Sequence, residues 1–227
     1  RIQVSVRLVK AHEDSQVWGE SYWKELTADN LFQIQSDITT QIAEALEARL
    51  TTEEKSAIEQ SQTKDLESYC LHAQGRWSLD QRTEEGIREA IDYFKQAISR
   101  DAEYVLPWVG LTDALILLFE YGFAEGEAVF PEAEKAVQRA FDLGPEVAEV
   151  NASIALLHEA RREGPAAMKK YKQAIALRPN YAEAHNWLSW TSQLLGYAEE
   201  ALQSAKRAVE INPLSQEALS NLSLSWI

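Results

Sequence analysis

The sequence predicts a mainly α protein: a right-handed superhelix of antiparallel helix pairs, preceded by a small, truncated segment of β-hairpin and helix. Three observations predict it. From about residue 65 onward, apolar side chains recur at helical spacing throughout. Within that stretch, a pattern of large, small and proline positions returns about every 34 residues. Residues 1–50 lack the pattern and begin with strict apolar–polar alternation.

In the first segment, Ile2, Val4, Val6 and Leu8 alternate with Gln3, Ser5 and Arg7, the period of a half-buried strand. His12-Glu13-Asp14-Ser15 reads as a polar turn, and Gln16–Glu25, rich in Val, Trp and Tyr, as a second strand completing an antiparallel hairpin. A helix follows, capped by Asp29 or Asn30, with Leu31, Ile34, Ile38, Ile42, Ala45 and Leu46 on one face. Thr51–Lys64 is polar and charged, a linker or a helix extension. The array then occupies residues 65–227.

The 34-residue frame is clearest over Ala182–Ser215. Leu188 takes the seventh place, Ser189 the small eighth place and Gly196 the turn. Ala201, Ala205 and Ala208 take the small places of the second helix, and Pro213 ends it. One frame earlier, Ala148–Tyr181 places Ile154, Ala155, Ala167, Tyr171, Ala174 and Pro179 alike, with a looser turn at Arg162-Glu163-Gly164-Pro165. Val105–Val147 carries Trp108, Leu111, Ala133, Val137, Ala140 and Pro145. It is longer by roughly nine residues, expected in a loop over Tyr121–Phe130. The aromatic residues there, Phe119, Tyr121, Phe123 and Phe130, read either as packing under their own loop or as a contact surface. A first repeat spans about 68–101, with an irregular first helix, and a partial fifth spans 216–227. Small residues allow close approach of paired helices, large ones fill the gaps, and stacked pairs share one core.

This signature resembles the tetratricopeptide repeat. The first segment resembles the end of a TolB-N-like α/β domain, through Val17-Trp18-Gly19-Glu20 and Phe32-Gln33-Ile34-Gln35-Ser36-Asp37-Ile38. Ala184-His185-Asn186-Trp187 and Asn212-Pro213-Leu214-Ser215 are similar to the late repeats of bacterial regulators that join the two. The resemblance implies a region of a larger protein with an adenylate or guanylate cyclase domain of class III, or a winged-helix domain, often beside a membrane helix. A soluble region on the cytoplasmic or periplasmic side is the corresponding expectation for location. The start at Arg1 and the end at Trp226-Ile227, both inside regular patterns, read as a fragment.

Composition excludes several classes. A net charge of −14 opposes phosphate backbones and anionic membrane surfaces, so no nucleic acid partner is expected of this region. No membrane insertion is expected either, because the most apolar run, Val105–Phe119, is cut by Pro107 and Asp113. Cys70, the single cysteine, reads as a half-buried thiol that can form no internal disulfide. His12, His72, His158 and His185 show no metal-ligand spacing, and no phosphate-loop, dinucleotide or nucleophile-elbow motif occurs. No catalytic residue, metal or cofactor is expected here; whether the full-length protein is a cyclase is a separate question.

The expected site is the groove. In tetratricopeptide arrays, places two, five, nine and twelve of each first helix face the concave side. By the resemblance these are Leu106, Val109, Asp113 and Ile116, then Glu149, Ala152, Leu156 and Glu159. Glu183, Asn186, Trp190 and Gln193 follow, and Glu217, Ser220 and Leu224 complete the set. It is acidic and apolar, with no Lys or Arg, so a clamp for a C-terminal carboxylate is disfavoured. A protein or extended peptide with basic and apolar side chains fits better. Trp190 and Leu156 read equally as partly buried packing. The alternative function is self-association, through the edge of the N-terminal strands or the apolar last helix with Leu219, Leu222, Leu224 and Trp226.

Overall fold

The computed structural model describes residues 1–10, 15–46 and 63–225. The expected turn at His12-Glu13-Asp14, most of Thr51–Lys64, and Trp226 lie outside the described residues. Among those described, the chain forms two strands and ten helices in two compact units, Arg1–Cys70 and Leu71–Ile227.

In the first unit, β1 (Ile2–Lys10) and β2 (Ser15–Lys24) pair antiparallel, with Val4 opposite Tyr22 and Leu8 opposite Trp18. A register irregularity follows at Leu8/Val9. Ile2, Val4, Val6 and Leu8 are half-buried while Gln3, Ser5 and Arg7 are exposed, because successive strand side chains take opposite faces. Helix α1 (Ala28–Ala45) buries Ala28, Ile34 and Ala43, and Gln41 accepts a hydrogen bond from Trp18 Nε1 at 2.9 Å. Its cap is Thr27, not Asp29 or Asn30: the Thr27 hydroxyl accepts from the Asn30 amide, the usual geometry two to three residues into the first turn. Leu46, expected on the buried face, lies just past the helix end and is 61% exposed.

The array is built from α2 (Leu66–Asp80), α3 (Glu84–Arg100), α4 (Val105–Glu120), α5 (Gly126–Leu143) and α6 (Ala148–Ala160). It continues through α7 (Gly164–Leu177), α8 (Ala182–Leu194), α9 (Ala198–Ile211) and α10 (Gln216–Leu224). The eighth place of successive first helices holds Gly75, Thr112, Ala155 and Ser189, all buried. Ser189 shows why it must be small: its hydroxyl donates to the Ala201 carbonyl at 2.8 Å, so the paired helices touch nearly backbone to backbone. The facing alanines of the second helices, Ala133, Ala167 and Ala201, have no exposed surface. Phe94 lies against Gly75 and Gly110; a Cβ on either glycine would stand 2.5 Å from its ring.

The turns repeat as faithfully as the helices. Ala97, Ala140, Ala174 and Ala208 each accept from the amide four residues on, of Asp101, Gly144, Arg178 and Asn212. The last three of these precede Pro145, Pro179 and Pro213, which bar the helical conformation from the preceding residue. Between paired helices the chain turns through a left-handed residue: Arg82, Gly122, Arg162 and Gly196 all have positive φ. At Arg162 and Gly196 the same two bonds close the helix, from Arg162 to Glu159 and Glu163 to His158, and from Gly196 to Gln193 and Tyr197 to Ser192.

Most of the extra length of the second repeat is not a loop, as the sequence suggested. It lengthens both helices: α4 runs to Glu120, and α5 begins at Gly126, a turn before Pro131. Pro131 occupies the place that Pro165 takes at the start of α7. Phe119 and Phe130 meet edge to face at 4.9 Å and pack with Phe123 on the core, whereas Tyr121 is 46% exposed. Cys70 is exposed rather than half-buried. Among the described residues, no helix is long and apolar enough to cross a membrane.

Candidate functional site

The first helices α2, α4, α6 and α8 line one groove. Two cavities lie along it. The smaller, about 160 Å³, is bounded by His72 and Arg76 of α2, Leu106, Val109 and Gly110 of α4, and Glu149 of α6. Glu183 of α8 closes it with Arg178 and Tyr181 from the turn before α8. The larger, about 460 Å³, lies between Asp80 and Arg82 at the end of α2 and Glu183, Asn186, Trp187, Leu214 and Glu217 of the last helices and turn. Glu183 belongs to both.

The floor of the groove is polar. Asp113 is 5% exposed; its carboxylate accepts from the Ser153 hydroxyl on α6 and stands 3.5 Å from Arg76 Nη1 on α2. Burial pushes its pKa up to about 6, the Arg76 charge offsetting only part of that. Glu159 is also pushed up by burial, against the hydrogen bond it accepts from Tyr171 Oη at 2.8 Å. His72 is pulled down to about 4 by burial and by Arg76, and its Nδ1 lies 3.2 Å from Tyr104 Oη. Arg178 stacks 3.9 Å above the Tyr181 ring and pairs with Glu149 at 2.7 Å.

The expected groove residues divide by depth. Glu149, Glu183, Asn186 and Glu217 border the cavities. Trp190 is 41% exposed. Ile116 and Leu156 are 0% and 8% exposed and pack into the core around α4. Asp113 is buried and Glu159 half-buried. Gln193 joins α8 to α10, donating to the Asn221 carbonyl at 3.2 Å and the Ser225 hydroxyl at 3.0 Å. Asn186 is held by Asn221 at 2.8 Å.

The expectation of a groove without basic residues is corrected by Arg76, Arg82 and Arg178. Arg76 and His72 were legible, since places five and nine of a frame starting at residue 68 fall on them. Arg178 was not, because it enters from a turn between helices. A wider depression of about 580 Å³ lies on the other side, between α7 and α9, and the Lys172–Glu200 ion pair at 2.7 Å spans part of it. Among the described residues, no three His, Cys, Asp or Glu side chains are grouped to hold a metal.

Comparison with known proteins supports the same architecture. Residues 164–189 match a TPR repeat model and residues 182–213 a tetratricopeptide repeat model. No curated protein matches the chain. Among solved structures, a thermophilic TPR protein of Thermus thermophilus is similar at TM-score 0.61 and 18% identity, over 86% of this chain and 98% of that one. MamA is similar at TM-score 0.46 and 20% identity, over 66% of this chain and 82% of that one. The second TPR domain of human RPAP3, in complex with an HSP70 peptide, is similar at TM-score 0.42 and 22% identity, over 51% of this chain and 91% of that one. The chain therefore contains a tetratricopeptide-repeat region, and its fold is a TPR-like helical superhelix with a small two-stranded sheet before it.

Proposed function

We propose that the repeat unit is a protein- or peptide-binding module, with the groove of the first helices as its site. The observation that carries this reading is that side chains from four successive first helices border two cavities that share Glu183. Glu149, Asn186, Trp190 and Glu217 provide its accessible wall, and Asp113 and Glu159 its polar floor. The finer reading is a regulatory module within a larger bacterial signalling protein. It is supported by the resemblance of Val17–Glu20 and Phe32–Ile38 to the segment preceding such arrays. The test is panning of the chain against a random library of short linear peptides, followed by amide shift mapping of an enriched peptide. Shifts concentrated at Glu149, Glu183, Asn186 and Trp190 are expected. An absence of enriched peptides, or shifts confined to the second helices, overturns the groove.

Self-association is the second reading, favoured by exposed Leu214, Leu219 and Leu224, at 88%, 46% and 46%. Sedimentation at increasing concentration tests it: a constant monomer mass removes it.

A further inference from the structure

The groove wall already holds one guanidinium, that of Arg178, between the Tyr181 ring and the Glu149 carboxylate. Beside it lies unused negative charge. The side chains of Asp80 and Glu183 make no hydrogen bond or ion pair among the described residues, and the Glu217 carboxylate accepts only from the Ser215 hydroxyl. Among the described residues, Arg82 is the one basic side chain bordering the larger cavity. Below the smaller cavity sits Asp113, buried and 3.5 Å from its ion-pair partner Arg76. Such a carboxylate costs the fold stability when ionised, even with the hydrogen bond it accepts from Ser153.

Resting on the peptide-binding reading above, we propose that the groove takes an extended segment bearing an Arg or Lys side chain, which seats against Glu183, the residue that borders both cavities. Electrostatic complementarity selects the segment: the basic group pairs with Glu183 and relieves the uncompensated charge around it. Apolar side chains of the same segment lie on Leu106 and Trp187.

A pH dependence follows. Asp113 stands beside Arg76 of α2 and Ser153 of α6; the charges of Arg82 in the next turn and Glu149 on α6 also act on it, and its own charge acts on Tyr171 and Tyr181. A cation in the groove favours its ionised form. Affinity is therefore highest above about pH 6 and falls as Asp113 takes up a proton; an anionic ligand would show the opposite trend.

The test uses the peptides enriched by panning the 227-residue chain. They are expected to share Arg or Lys. The best of them should lose about threefold in affinity with Glu183→Gln and about tenfold with Glu183→Lys. Glu127→Gln, on the exposed start of α5, controls for net charge and should change nothing. Affinity should fall between about pH 7.5 and 5. Enrichment of acidic or uncharged peptides, an equal loss with Glu127→Gln, or tighter binding in acid overturns the proposal while leaving a peptide groove. A library yielding no peptide overturns both.

Discussion

The second and fourth repeats place opposite chemistry at the same point. Place nine of the first helix is Asp113 in α4 and Trp190 in α8, and the carboxylate is the buried one, 5% exposed against 41%. Place twelve is Ile116, fully buried, in α4 and Gln193 in α8, where it bonds to α10. In α4 ten residues are buried and in α8 five, so α4 contributes on nearly every side while α8 keeps an open face. A repeat frame states which residues share a place. It does not state how deeply each place lies, because depth depends on what packs around each helix: α6 is as long as α8 yet buries nine residues.

The largest expected effect sharpens the contrast from the core side. Phe94 has no exposed surface and is closely approached by Gly75 and Gly110. Phe94→Ala leaves a void between α2, α3 and α4 that two glycines cannot fill. The expected loss is about 3–5 kcal/mol, read from the midpoint of urea unfolding. A loss below about 1 kcal/mol would mean that the first two repeats do not share a core.

Asp113→Asn breaks the contrast at the groove floor. The folded state holds Asp113 near pKa 6, above its ordinary 3.8, so it binds the proton more tightly than the unfolded chain does. The sign follows: stability falls as pH rises from about 4 to about 6, and above that the ionised group carries its full cost. At about pH 7.5 the Asn variant should be more stable, by up to about 3 kcal/mol, and the advantage should vanish by about pH 4. Thermal unfolding across that range checks it. A variant less stable at every pH would show that the Arg76 pairing outweighs the burial.

Much of the architecture was legible, and the failures share a cause. The small eighth place is written in the chain as Ala155 and Ser189, and closeness of paired backbones explains it. The prolines at 145, 179 and 213 mark helix ends because they act locally. The extra residues of the second repeat misled because the length of an insertion does not reveal whether it forms a loop or another helical turn. Thr27, Asp29 and Asn30 are all capping residue types, and which of them caps depends on where the helix begins, which the sequence does not mark. For the site, Glu183 and Asn186 could be named from the frame alone. That Arg82 and Glu217 border one cavity could not, since the frame relates neighbouring repeats and these two stand several repeats apart.

The smallest effect separates two turns that share a place. Arg162 and Gly196 close their helices with the same pair of backbone bonds and nearly the same φ, 65° and 80°. Only glycine adopts that conformation without crowding its Cβ, and the penalty for other residues is about 1 kcal/mol. Arg162→Gly should therefore stabilise the array by less than about 1 kcal/mol, since the more flexible unfolded chain offsets part of the gain. Gly196→Ala should destabilise it by about 1 kcal/mol, because nothing lies within 4 Å of the added Cβ and only the backbone objects. The opposed signs at equivalent places, measured by urea unfolding, distinguish a backbone effect from a packing one. If Arg162→Gly destabilises instead, the Arg162 side chain supplies an interaction stronger than the strain of its turn.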